Sequence, residues 1–275
     1  MADPRPPIAK PTDRQGRPRW YSLPRAGRIP LVALFWLAVW QLAALVIGNP
    51  ILLASPVAVF QALLRLVPTW GFWASLGATA ARILVGLVLG MALGVALAAV
   101  THLSRIADHV FTPAVKALQA VPVAAFAILV LIWSGPTILT AAVVVVMTLP
   151  VAFLAVRAGL AARDPELIEV AQVFGATRMQ RLRAVAVPAV LPFLFAATQT
   201  AIGLAWKAGV SAEVIGLPRG SVGERLYFTR LTLATDELLA WTLVIVAASL
   251  VVERSVRALL GRIYGTAGLG PKPGA

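Results

Sequence analysis

Glu169-Val170-Ala171-Gln172-Val173-Phe174-Gly175, followed after nine residues by Val185-Ala186-Val187-Pro188, lies between two long apolar runs. Just upstream, Asp164-Pro165-Glu166 has the order of a helix start: an N-cap acid, proline at the first helical position and an acid in the first turn. Leu167, Val170, Ala171 and Phe174 then recur at helical spacing and form one apolar face. Gly175 is placed to end the helix in a left-handed cap. Thr177 can begin a second helix through Arg178, Arg181 and Arg183, before Pro188 opens the next apolar run. A helix–Gly–helix elbow of this kind transmits a push that a flexible loop would absorb. We therefore read Glu169, Ala171, Phe174, Gly175, Ala176 and Pro188 as a docking segment. An ordinary loop with a basic edge beside lipid headgroups is the alternative.

The apolar runs set the class. Hydrophobic residues make up 60% of the 275 and charged residues 13%, with a mean hydropathy of +0.87. A soluble domain carries about 25% charge. The net charge of +13 would suggest nucleic acid on a soluble protein. Here the basic residues gather at the ends of apolar runs, as topology determinants do, and no nucleic-acid partner is expected. The chain has no cysteine, which excludes disulfides, thiolate metal sites and cysteine catalysis.

Six spans of roughly 20 residues or more can be drawn, at about 29–48, 72–101, 110–133, 137–158, 187–208 and 237–257. The runs are continuously apolar and about twice the length of a barrel strand. With backbone polar groups satisfied internally, the expected fold is an all-α polytopic membrane helix bundle. The division is a basic, Pro-rich tail over 1–28, a first span with its outer connection over 29–71, a core transmembrane unit over 72–258 with the docking segment at 163–188, and a tail over 259–275. The first tail holds seven Lys/Arg and six prolines, too little apolar surface to offset ordering entropy. With the run that follows, it reads as a signal anchor rather than a cleaved signal peptide, since no small-x-small site follows. Placing both termini in the cytoplasm puts 18 of the 24 basic residues inside. Arg65, Arg82, Lys207, Arg219, Arg225 and Arg230 remain outside, in keeping with the positive-inside bias.

Gly86, Gly90, Gly94 and Ala98 recur every four residues, as do Ala197, Ala201, Ala205 and Gly209. Small residues at this spacing let helix backbones approach closely, either as static packing or as a seam that slides during transport. Pro122 falls inside the third expected span and should kink it. Arg82, Lys116, Gln119, Pro122, Lys207 and Glu213 are the candidate pathway residues, because intramembrane charges usually face the bundle interior or water. For Lys116 and Lys207, snorkelling to the interface is the equal alternative. His102 and His109 lack the further ligands a metal site needs.

Taken together, these residues resemble the binding-protein-dependent transport permeases, the membrane subunits of ABC importers, and among them the nitrate/sulfonate/taurine type. That family's signature is Glu-Ala-Ala, three residues, Gly, nine residues, Ile, one residue and Leu-Pro. Glu169, Ala171, Gly175 and Pro188 fall in register, while Val170, Val185 and Val187 replace Ala, Ile and Leu. The resemblance covers about residues 70–258. It includes Ser75-Leu76-Gly77 leading to Arg82, Leu118-Gln119-Ala120-Val121-Pro122, Leu131-Ile132-Trp133-Ser134-Gly135, Ala205-Trp206 and Ala212-Glu213. Gln119 stands where the family carries a basic residue. The resemblance implies a second copy of the permease, two cytoplasmic ATP-binding subunits, an external solute-binding protein, lipid around the spans, and a bacterial inner-membrane location. It implies uptake of a small solute such as a sulfonate or nitrate. No Gly-Lys dipeptide occurs in the chain, so it lacks a Walker A loop. It is expected to be no enzyme and to bind no cofactor, with ATP-Mg held by the partner. An ATP-independent channel or secondary transporter, and a membrane anchor for a cytoplasmic enzyme, are the other two functions considered.

Overall fold

A computed structural model describes residues 25–266. Most of the expected tail over 1–28, and the end of that over 259–275, lie outside the described residues. The described chain is helical throughout, with no strand. Its helices are α1 (Arg25–Ile47), α2 (Pro56–Leu66), α3 (Trp70–Leu103), α4 (Arg105–Leu118), α5 (Val123–Ser134) and α6 (Pro136–Ala161). They continue with α7 (Pro165–Val173), α8 (Arg178–Arg181), α9 (Val187–Gly216), α10 (Val222–Leu231) and α11 (Thr235–Thr266). A π-helical turn over Leu182–Ala186 joins α8 to α9. Side chains placed at the starts set several boundaries. Ser55, Thr69, Ser104, Asp164, Thr177 and Ser221 each accept a hydrogen bond from a backbone N–H of the first turn, satisfying donors that have no intrahelical acceptor.

Among the described residues, five helices are long and apolar enough to cross a membrane: α1, α3, α6, α9 with its preceding turns, and α11. The sixth expected span is not one helix. α4 and α5 meet at 105°, and Pro122 is the N-cap of α5 rather than a residue inside a kinked helix. The reason is local. Pro122 donates no N–H and biases Val121 away from helical backbone, so the chain turns through Ala120 and Val121 instead of bending. Counted as one broken span, α4 and α5 restore six. Two further helices lie between the expected spans: α2 within 48–71 and α10 within 209–236. The fifth span is also longer than expected. α9 runs to Gly216, so Lys207 lies within the helix rather than at its end.

α6 packs between α3 and α9 along most of its length. The small residues make this possible. A Cβ on Gly86 would stand 2.7 Å from the Ala141 carbonyl oxygen, and one on Gly90 only 2.9 Å from that of Val145. The two backbones therefore touch where glycine removes the side chain. Ala197, Ala201, Ala205 and Gly209 are buried in the same way on α9. Around them Ile83, Leu87, Val144, Ile202, Trp206 and Val210 form the central core. Phe72 stacks on Trp241, with ring centroids 4.9 Å apart, to seat α11 against the start of α3. Much of the outer surface is apolar as well. Leu34, Phe35, Trp36, Leu42 and Leu45 on α1 are all exposed, a surface that suits lipid.

Candidate functional site

The segment over 163–188 folds as the sequence predicts. Asp164 caps α7 by accepting from the Glu166 N–H at 2.9 Å, and Pro165 occupies the first turn. At the other end, the Gly175 N–H donates to the Gln172 carbonyl and the Ala176 N–H to the Ala171 carbonyl, both at 2.9 Å. Gly175 has φ +69°. These two bonds and the left-handed glycine constitute a Schellman cap. The spacing of Ala171, Gly175 and Ala176 is thereby explained, since each supplies one part of a single helix stop. Thr177 then opens α8 through a capping box: its hydroxyl accepts from the Gln180 N–H, and the Gln180 side chain accepts from the Thr177 N–H. Pro188 lies at the start of α9, directly after the π turn, so the helical backbone runs on through it from α8 and the proline's missing N–H falls where the hydrogen-bond ladder is already shifted.

No residue of α7 or α8 is buried. Val173 and Phe174 are each 85% exposed, and Leu167 and Val170 more than half. Glu169 is also exposed. The elbow thus presents an apolar face that the described residues leave uncovered.

The pathway candidates fall into three places. Lys116, Gln119 and Pro122 cluster at the α4–α5 break, with Lys116 in the last turn of α4 and Gln119 as its C-cap. Arg82 and Glu213 come together at the end of the bundle opposite the elbow. Glu213 is completely buried. Its carboxyl group accepts from the Thr79 hydroxyl at 2.7 Å, Arg82 Nη1 at 3.2 Å, the Gly223 N–H at 3.3 Å and the Thr140 hydroxyl at 3.4 Å. Thr79 Oγ1 in turn accepts from the Val222 N–H at 2.9 Å, and Arg82 Nη2 donates to the Arg219 carbonyl at 3.2 Å. One carboxyl group therefore ties α3, α6, α9 and the start of α10. The sequence indicated Arg82 and Glu213 separately but not Thr79, Thr140 or the α10 amides. The i, i+3 spacing of Thr79 and Arg82 was the available signal.

Lys207 stands apart. It is exposed on α9 with Thr200 and Ser211, at helical spacing around partly buried Gly203. No described acid pairs with it. A cavity of about 450 Å³ adjoins Lys207, Ser211, Thr242 and Ser249, between α9 and α11. This exposed polar stripe on a largely apolar helix is the strongest candidate for a surface that faces water or a second copy rather than lipid. No group of three or more His, Asp or Glu that could hold a metal occurs among the described residues.

A further polar cluster had no sequence signal. Arg157 on α6 forms an ion pair with Asp108 on α4, donates to Thr112 Oγ1 at 3.1 Å and lies over the Phe153 ring at 5.5 Å. It fixes the start of α4 to the end of α6.

Comparison with known proteins places this architecture. The family model described as "Binding-protein-dependent transport system inner membrane component" matches residues 86–263. The taurine transport system permease protein TauC of Escherichia coli (strain K12) is 29% identical over 244 residues, covering 86% of this chain and 87% of the relative. The riboflavin transport system permease protein RibX of Chloroflexus aurantiacus is 29% identical over 257 residues, covering 89% and 94%. The crystal structure of an amino acid ABC transporter with histidines superposes with a TM-score of 0.59 at 19% identity, over 74% of this chain and 96% of that one. The chain therefore belongs to the binding-protein-dependent inner-membrane components, the permease subunits that form the translocation pathway of ABC importers.

Proposed function

We propose that two copies of this chain frame one solute pathway and that the α7–Gly175–α8 elbow of each receives a cytoplasmic ATP-binding subunit. The uncovered apolar face of the Schellman-capped elbow carries this reading. An apolar face of this size, on a rigid helix pair that passes without a loop into the 30-residue α9, suits a partner that pushes. ATP with its Mg belongs to that partner, because the chain has no phosphate-binding loop. An external solute-binding protein delivers solute at the opposite end, near α2 and α10. The basic asymmetry, and a count of six with α4 and α5 as one broken span, support a topology with both termini on the elbow side. The stripe of Thr200, Lys207 and Ser211 lines the pathway between copies, with membrane lipid around the rest. Unpaired Lys207 suits a small anionic solute.

Gly175→Val tests the coupling role. A β-branched residue at φ +69° carries a backbone cost of about 1–2 kcal/mol or more, and relieving it unmakes the cap. The expected result is normal membrane insertion with loss of both transport and co-purifying ATPase. Normal transport by Gly175→Val at normal expression overturns the assignment.

A further inference from the structure

Two cavities meet at the elbow end of the bundle. The first, of about 500 Å³, lies between the end of α3, the start of α4 and the end of α6. Its charged wall consists of Arg105, Arg157, Arg163, His102 and one acid, Asp108. Arg157 and Asp108 neutralise one another. Arg163 spends its Nε on the Leu160 carbonyl at 2.7 Å and, like Arg105, has no acid partner among the described residues. Two guanidinium groups are thus left over in one concavity.

The second cavity, of about 410 Å³, shares His102, Leu103, Leu160 and Arg163 with the first and extends under the elbow. Its remaining wall is largely hydrocarbon: Ile168, Met179, Leu182, Val185 and Ala186. Arg178 and Arg181 line it as well, and the buried Arg181 Nε has no hydrogen-bond partner among the described residues.

We infer that these joined cavities hold one anionic phospholipid, with its phosphate against Arg105 and Arg163 and an acyl chain along the Ile168–Leu182 wall. A free anion accounts for the arginines but leaves the hydrocarbon wall uncovered. A neutral lipid chain does the reverse. An amphiphile with a phosphate head satisfies both, and the surrounding bilayer supplies it at high local concentration. The planar guanidinium fork matches phosphate oxygens, and basic recesses between spanning helices are suited to lipid headgroups. The occupant would bridge the α3–α4 junction, the end of α6 and the elbow, so lipid composition becomes a regulator of the coupling segment. The site rests on the chain being a membrane permease and not on ATPase docking.

The test is lipid retention by the purified full-length chain. It is offered equal amounts of phosphatidylglycerol and phosphatidylcholine with the same acyl chains, and the bound species are read by native mass spectrometry. One phosphatidylglycerol per chain is expected. Each arginine removed should lower its preference about fivefold, the scale of one basic residue at an anionic membrane surface, so Arg105→Gln/Arg163→Gln should lose about 25-fold. Exposed Arg254 on α11 lies outside both cavities, and Arg254→Gln should retain the lipid. If the double variant does not fold, Arg105→Gln alone carries the fivefold expectation. Equal retention by the cavity variants, equal loss in Arg254→Gln, or displacement of the lipid by millimolar inorganic phosphate each overturns the proposal. The measurement needs no ATPase, so it fails or succeeds independently of the elbow's docking role.

Discussion

Replacing Glu213 with alanine removes the acceptor on which four donors from three helices converge. Removing one partner of a buried ion pair costs about 3–5 kcal/mol. Here that figure needs discounting, because the Arg82 side chain is 25% exposed and water can reach the guanidinium. The orphaned neutral donors add to it, at about 1–3 kcal/mol for each that stays buried. Thr79 and Thr140 are both fully buried, but their hydroxyls can rotate onto carbonyls one turn back in their own helices. The Gly223 N–H has no such freedom. A net loss of about 3–5 kcal/mol is therefore expected for Glu213→Ala. Glu213→Gln keeps the shape and one carbonyl acceptor, and should cost about 1–3 kcal/mol. The assay is reversible unfolding of the purified chain in mixed micelles, followed by tryptophan fluorescence. Hydrogen exchange at Val222 and Gly223 provides a local readout, since both amides bond into this cluster. Arg82→Met combined with Glu213→Ala should cost less than the sum of the two, because the pair is coupled. A loss below about 1 kcal/mol for Glu213→Ala, with unchanged exchange at 222 and 223, would refute the claim that this carboxyl group holds α10 to the core.

The small-residue seam predicts a contrast between two glycines. Gly90→Leu forces α3 away from the α6 backbone and should cost about 1–3 kcal/mol or more, whereas nothing lies within 4 Å of a Cβ on Gly203, so Gly203→Ala should be neutral or stabilise by up to about 1 kcal/mol. Similar losses for both in the same unfolding assay would count against close α3–α6 contact. Topology is open to thiol labelling in intact cells without background, because the chain has no cysteine. A cysteine at Gln180 should react only with membrane-permeant reagents, and one at Arg219 with impermeant reagents as well. The reverse pattern inverts the orientation and removes the ATPase from reach of the elbow.

Apolar runs longer than a barrel strand, with basic residues at their ends, were enough to determine an α-helical membrane bundle, because lipid satisfies no backbone hydrogen bond and leaves few folds open. The elbow was equally legible. Asp164, Gly175 and Thr177 act through hydrogen bonds within five residues and Pro165 through its fixed φ, so their order alone specifies the turns. The glycine ridge of α3 was readable as a packing surface, but its partner, α6, was not. The break at Pro122 was read as a kink, since a proline's local effect is legible while the 105° angle depends on what α4 and α5 pack against. α2 and α10 went unseen between the expected spans because they are short and bury few residues. Tertiary structure alone decided the polar clusters. Thr79 and Glu213 are 134 residues apart, and Asp108 and Arg157 are 49 apart. No periodicity links positions so distant. Such groups find one another only after the helices have packed, when burial makes an unpaired carboxyl group or guanidinium costly and a shared hydrogen bond the way to satisfy both.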